Sequence, residues 1–146
     1  MIKYSSCPEF DKDFKKLHKK YPSLDKDFED LKKIMDLNPI IPMAEQISWL
    51  GEEIIIPIYK ARKVVCKSLK SNSKIRVIYA YDEASEMIQF IEFVEIYTKS
   101  DKDMEDRERI KKYYSNKSSL STQSQMITNN PSFTFIENEP DLYDDC

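Results

Sequence analysis

The sequence predicts an α+β fold in which an N-terminal helical hairpin packs on a small antiparallel β-sheet, followed by a short C-terminal helix. Apolar residues recur every three or four positions from residue 8 to 37, which indicates amphipathic helices. From residue 54 to 98 apolar residues recur at every second position, which indicates strands. Residues 101–114 place acids before lysines, an order that suits the dipole of a helix.

The first four residues, MIKY, predict a short strand ahead of the hairpin. Ser6 and Glu9 have the spacing of a capping box, and Pro8 fits the first turn of the first helix. Pro22 ends this helix, and Ser23 is the predicted cap of the second. The segment NPIIP ends the second helix, so the two helices are predicted to lie antiparallel.

The segment after the hairpin contains Pro39 and Pro42, which predict a loop, with AEQISWLG as a short helical turn or lid. Trp49 in this segment is predicted to fill the core, with base stacking as the alternative. Three strands follow and form a meander: EIIIPIYKARKVVCKSL, KIRVIYAY and MIQFIEFVEIYT. Asp101 or Asp103 is the predicted cap of the last helix.

The composition changes after Tyr114, which divides the chain into a folded domain, residues 1–114, and a tail, residues 115–146. A polar linker of Ser, Thr, Asn and Gln opens the tail, so we predict disorder there. The tail ends in FTFIENEPDLYDDC, which either improves solubility or folds back on a basic surface. Both alternatives follow from its mixture of acids and apolar residues.

Charge and cysteine content limit the possible functions. The net charge is −3, yet residues 57–81 contain seven basic residues and no acid. Three widely spaced cysteines and one histidine indicate neither a disulfide framework nor a metal site, so we predict no metal and no cofactor. His18 is predicted to be structural. The sequence contains no signal-peptide core and no apolar run of membrane-spanning length, which predicts a cytoplasmic protein without membrane association.

The basic residues of the predicted strands indicate a phosphate clamp. Lys60 and Arg62 lie two apart on one strand and therefore share a face, and Arg76 lies on the next strand. Lys99 and Lys102 follow the third strand and can reach the same end of the sheet. Arginine offers a planar fork to phosphate and lysine a point charge. Further RNA contacts are predicted for Lys63, Lys67, Lys70, Lys74, Lys102 and Tyr79.

Such a clamp can serve RNA cleavage by internal attack of the 2′-OH. This reaction needs a base, an acid and stabilisation of the charge that develops on the phosphorane. Crowded like charges depress the pKa of a lysine, so one lysine of the cluster is a candidate base. An arginine would hold the phosphate, and a lysine or tyrosine would protonate the leaving oxygen. No metal is required.

The order and spacing of FKKLHKKYPSL, IYKARK, IRVIYAYDE and VEIYTKSDK resemble the RelE/ParE toxin superfamily, and within it the RelE-like mRNA interferases of type II toxin–antitoxin modules. The resemblance covers about residues 8–112 and implies an antiparallel sheet with a helical hairpin packed on it. It implies catalytic roles for Lys60, Arg62, Arg76 and Lys99, or Lys102 in place of Lys99. The family's glycine before the arginine strand is missing from SNSKIR.

The resemblance also implies partners. These are a cognate antitoxin that covers the basic surface, and messenger RNA, either on the ribosome or free. The tyrosine that some members place near the start of the last helix has no counterpart, because Tyr113 and Tyr114 come too late. ParE-like gyrase inhibitors have the same fold without ribonuclease chemistry, so a toxin-fold protein that acts only by binding is the alternative.

Overall fold

The computed structural model describes residues 1–69, 75–85 and 87–120, and within these ranges it has three helices and one five-stranded sheet. The sheet order is β1-β5-β4-β3-β2. The elements, in chain order, are β1 (Ile2–Ser6), α1 (Pro8–Lys20), α2 (Leu24–Leu37), β2 (Ala44–Gln46), β3 (Ile58–Val64), β4 (Ile75–Asp82), β5 (Gln89–Thr98) and α3 (Arg107–Tyr114).

The predicted α+β class is confirmed, but the sheet is mixed and not purely antiparallel. Strands β2 to β5 form the predicted meander with one addition, whereas β1 pairs in parallel with β5. The addition is β2, which pairs Glu45 with Lys60 at the edge of the sheet. The prediction of a helical turn at AEQISWLG was therefore wrong, because three of its residues extend the sheet.

The α1–α2 hairpin covers one face of the sheet through aromatic side chains. Phe28 and Phe93 make an edge contact with ring centroids 4.7 Å apart, and Phe10 stacks on Phe93 at 5.5 Å. Phe14 contacts Phe28 at 5.3 Å on the outer side of this cluster. Burial of these large rings provides much of the hydrophobic stabilisation between helices and sheet.

The helix ends differ from the predicted caps. Ser6 belongs to β1, and its hydroxyl donates to Asp11 at 2.7 Å, so the predicted capping box does not form. Ser23 is the N-cap residue of α2, as predicted, but its hydroxyl donates to Asp27 instead of capping the backbone. Helix α3 is capped by Asp106, whose side chain accepts from the backbone N–H of Arg109, so the predicted cap at Asp101 or Asp103 was wrong.

Trp49 lies on the surface with 91% of its area exposed, so its predicted role in the core is wrong. The core positions of this segment belong to Ile47, Leu50 and Ile56 instead. The backbone of Trp49 has a φ of 62°, and the guanidinium of Arg107 donates to its carbonyl at 3.1 Å. This turn therefore presents the indole to solvent.

Helix α3 and the residues after it pack beside the other face of the sheet. Ile110 and Tyr114 are completely buried, and the Tyr114 hydroxyl donates to Glu92 of β5 at 2.6 Å. Packing continues beyond the predicted domain boundary at Tyr114, since the backbone N–H of Leu120 donates to Asp82. The predicted acidic segment of the tail lies outside the described residues. No helix in the described ranges is long and apolar enough to cross a membrane.

Candidate functional site

The three predicted strand cations lie on one face of the sheet. Lys60 lies opposite Ile78, and Arg76 precedes Ile78 by two positions. Because side chains two apart on a strand share a face, Arg76 lies on the same side as Lys60. The register of β3 shifts between Ala61 and Val64, and Arg62 is on this side through its contact with Glu45, the strand partner of Lys60. Arg76 in turn lies opposite Tyr97 of β5. We call this side the charged face.

The charged face is the side that the α1–α2 hairpin leaves uncovered. Tyr59 and Tyr79 stack with ring centroids 5.7 Å apart, and Tyr79 approaches Phe93 beneath the helices. Lys60 follows Tyr59 in the chain, so its side chain leaves the opposite side of β3. The β-sheet thus separates the aromatic core from the charged groups.

The ammonium group of Lys60 is buried on this face and forms an ion pair. Lys60 is 8% exposed, and its Nζ lies 2.7 Å from Oε1 of Glu105, a carboxylate from the loop before α3. Arg107 binds the other oxygen of Glu105 at 2.9 Å. Burial opposes ionisation of Glu105, but the hydrogen bonds from Lys60 and Arg107 lower its pKa below the usual value. Lys60 therefore faces a carboxylate, and not the crowd of cations expected around a general-base lysine.

Arg62 is held by the neighbouring edge strand. Its Nε and one terminal nitrogen donate to the two carboxylate oxygens of Glu45 at 3.1 and 3.0 Å. This two-pronged geometry is the strongest that an arginine makes with a carboxylate. The Arg62 side chain remains 40% exposed, so solvent and ligands still reach it.

Arg76 and Tyr97 are the residues of the charged face that have buried donor atoms without a hydrogen-bond partner in the described part of the chain. Arg76 is partly exposed, but its Nε is buried and has no hydrogen-bond partner in the described part of the chain. The hydroxyl of Tyr97 is likewise buried without a partner there. Burial and the nearby carboxylates of Glu95 and Glu105 raise the pKa of Tyr97 to about 12, although Arg76 lowers it in part. The phenol is therefore protonated at neutral pH.

The predicted residues beyond the strands lie in different surroundings. Lys102 forms an ion pair with Glu95, and its Nζ lies 5.3 Å from the ring centre of Tyr97. Lys99 is exposed at the end of β5, and Lys63 is exposed on β3. Lys67 is exposed as well, and its backbone N–H donates to Asp27. The predicted RNA contacts Lys70 and Lys74 lie outside the described residues.

The prediction that Tyr79 contacts RNA requires a correction. Tyr79 is completely buried, and its hydroxyl donates to the carbonyl of Pro39 at 2.8 Å. Its ring lies between Tyr59 and Phe93, so no face of it is open to a base. The alternation of β4 explains this, because Tyr79 points to the opposite side from Arg76. His18, predicted to be structural, lies on α1 with 41% of its side chain exposed, and its Nε2 is 3.6 Å from Asp25.

The acids of the charged face were not predicted from the sequence. Glu45, Glu95 and Glu105 come from β2, β5 and the loop before α3, while the basic segment itself contains no acid. The position of Glu95 could have been predicted, because Glu95 lies two positions before Tyr97 on a largely apolar strand and therefore shares its face. No group of three or more His, Cys, Asp or Glu suited to a metal ion occurs among the described residues.

The chain matches no protein-family model. Its sequence matches no curated protein either.

Proposed function

We propose that this chain is the toxin of a type II toxin–antitoxin module, a metal-independent endoribonuclease that cleaves messenger RNA on the ribosome. The observation that carries the proposal is the grouping of Lys60, Arg62 and Arg76 on the side of the sheet away from the helical hairpin. The RelE/ParE-like order of motifs supports it, and so does a helical hairpin packed on one face of a largely antiparallel sheet.

The proposed chemistry is internal attack of the 2′-OH on the adjacent phosphorus, which forms the O2′–P bond and breaks the P–O5′ bond. Arg76 and Arg62 are exposed enough to bind the phosphate and to stabilise the charge of the phosphorane. Lys60 is the proposed general acid that gives a proton to the leaving O5′, and the proton of the attacking 2′-OH passes to solvent water. Lys99, exposed at the end of β5, would bind a neighbouring phosphate.

A second function is favoured by the ion pairs of the charged face. Lys60 is buried against Glu105, and Arg62 is bound to Glu45 on both carboxylate oxygens. A protein that keeps its cations engaged in this way is also suited to act by binding alone, as a ParE-like gyrase inhibitor or as a catalytically inactive toxin-fold protein. In both cases the proposed partner is an antitoxin whose acidic and apolar residues cover the charged face.

The test is cleavage of a purified messenger RNA by the purified full chain, without ribosomes in the presence of EDTA and with ribosomes in a buffer that contains Mg²⁺. We expect cleavage by the wild type, loss of cleavage in Arg76→Ala, and normal cleavage in Lys33→Ala, which removes an exposed cation of α2. Intact RNA under all conditions, together with inhibition of gyrase or binding of the antitoxin, would favour the second function.

A further inference from the structure

The phenol of Tyr97 is a buried hydrogen-bond donor with nothing to donate to in the described part of the chain. Only 4% of Tyr97 is exposed. Buried hydroxyls of tyrosine usually find a partner, because a donor removed from water without one destabilises the folded state. The buried Nε of Arg76 also has no hydrogen-bond partner in the described part of the chain. Arg76 lies opposite Tyr97 on the neighbouring strand. Two unsatisfied donors therefore lie side by side.

The two carboxylates nearest this pair already form ion pairs with other cations. The carboxylate of Glu95 pairs with Lys102 and accepts from the backbone N–H of Asp106 at 2.7 Å. The carboxylate of Glu105 forms ion pairs with Lys60 and Arg107, while its buried Oε1, 2.7 Å from the Nζ of Lys60, makes no well-aligned hydrogen bond in the described part of the chain. The other charged group that acts on the phenol is Arg62, a cation held by Glu45. No side chain in the described ranges thus accepts a hydrogen bond from the Tyr97 hydroxyl or from the Nε of Arg76.

We propose that Arg76 and Tyr97 together bind one phosphodiester group of RNA, with the guanidinium and the phenol each donating to a phosphate oxygen. The identity of the ligand as RNA rests on the proposed function, whereas the site itself requires only a phosphate group. Tyr97 would then be a substrate-binding residue that no motif in the sequence identified. Its position on β5, and not on α3, is consistent with the absence of a tyrosine at the start of that helix.

Access to the phenol depends on long side chains that can move. Lys102 lies over the Tyr97 ring and has 40% of its side chain exposed, and Arg76 is partly exposed as well. Both are cations, so a phosphate draws them toward itself as it approaches. Because burial keeps the pKa of Tyr97 near 12, the phenol remains a donor throughout the neutral range.

The variant Tyr97→Phe removes only the hydroxyl and keeps the ring in place. If this hydroxyl has no partner in the unbound protein, its removal leaves the midpoint of urea unfolding unchanged or raises it. A hydroxyl with a purely structural hydrogen bond would instead lower the midpoint when removed. The matched control is Tyr4→Phe, which removes a phenol bound to Asp36 and to the carbonyl of Lys32.

The binding test uses the full-length chain and two probes, inorganic phosphate and a 2′-O-methyl oligoribonucleotide that cannot be cleaved. For Tyr97→Phe we expect the dissociation constant for both probes to rise roughly tenfold, the loss typical of one hydrogen bond to a charged group. Tyr4→Phe should bind both as the wild type does. The double variant of Arg76→Ala with Tyr97→Phe should bind about as weakly as Arg76→Ala alone, because both residues act on one phosphate.

The outcomes separate this site from the proposed function. Weaker phosphate binding by Tyr97→Phe with an unchanged unfolding midpoint supports the site, even if the wild type cleaves no RNA. Equal binding of both probes by Tyr97→Phe and the wild type overturns it, even if RNA is cleaved. A wild type that binds neither probe overturns the site as well.

Discussion

The Nζ of Lys60 lies 2.7 Å from Oε1 of Glu105, with only 10% and 2% of the two side chains exposed. This ion pair joins the central part of the sheet to the loop that precedes α3. Arg107 extends it, because its guanidinium binds Glu105 and also the carbonyls of Ser48 and Trp49. The charged face is therefore part of the scaffold as well as a candidate binding surface.

Removal of one partner from this ion pair should destabilise the folded protein. We expect Glu105→Gln to lower the free energy of unfolding by about 3 kcal/mol, because it leaves the buried ammonium of Lys60 unpaired. The double variant Lys60→Met with Glu105→Gln should recover part of this loss. Urea unfolding measures the wild type, the single variants Glu105→Gln and Lys60→Met, and the double variant, with Asp30→Asn as a control that breaks the exposed pair with Lys26. Strictly additive losses would show that the two side chains do not interact.

Release of Arg62 should strengthen RNA binding. Glu45→Gln removes a negative charge from the edge of the charged face and frees the guanidinium of Arg62. We expect the affinity for a non-cleavable RNA to rise by roughly two- to fivefold, the range typical of an exposed ion pair. Glu29→Gln, which removes an acid paired with Lys32 on α2, should leave the affinity unchanged. Equal affinity of Glu45→Gln and the wild type would argue against Arg62 as an RNA contact.

The strands could be predicted from the sequence because their apolar residues alternate, and this alternation also placed Lys60, Arg62 and Arg76 on one face. Strand β2 could not be predicted in the same way, since its three residues show no period and it pairs only at the edge. The parallel pairing of β1 with β5 depends on contacts between residues far apart in the chain.

The acids of the charged face were missed for a related reason. Residues 57–81 contain basic residues and no acid, so the sequence indicates a purely basic surface. The fold, however, places Glu45, Glu95 and Glu105 beside those cations. Trp49 was misplaced because a large aromatic residue is usually buried. Here its neighbours fill the core and a left-handed backbone turns it outward.

RNA binding through phosphate contacts should weaken with salt. Each phosphate contact on single-stranded RNA contributes about −0.7 to the slope of log affinity against log salt, because counterions are released. We expect Arg76→Ala to reduce the magnitude of this slope by about 0.7, and Lys33→Ala to leave it unchanged. Fluorescence anisotropy between low and moderate salt measures both. A wild-type affinity independent of salt would contradict a phosphate clamp.

Acid should destabilise the contact between α1 and α3. Burial opposes ionisation of Glu9, but hydrogen bonds from Tyr113 and Lys112 lower its pKa from 4.5 to about 2. A carboxylate with a lower pKa in the folded state stabilises the fold above pH 4.5, and this contribution is lost as the pH falls toward 2.

The variant Glu9→Gln should therefore be less stable than the wild type at pH 7, and the difference should shrink between pH 4.5 and 2. Unfolding by urea at a series of pH values measures this. The control Glu29→Gln should follow the wild-type pH profile, because Glu29 lies on the exposed side of α2. A stability difference that stays constant between pH 4.5 and 2 would contradict a lowered pKa of Glu9 in the folded protein.

The most direct test of the proposed function is the mapping of messenger-RNA 5′ ends in cells after induced expression of the wild type or of Arg76→Ala. We expect the wild type to generate new 5′ ends within coding sequences and to arrest growth. Arg76→Ala, produced at the same level and equally folded, should give neither effect. Growth arrest by the wild type without new 5′ ends would contradict the endoribonuclease and favour a protein that acts by binding alone.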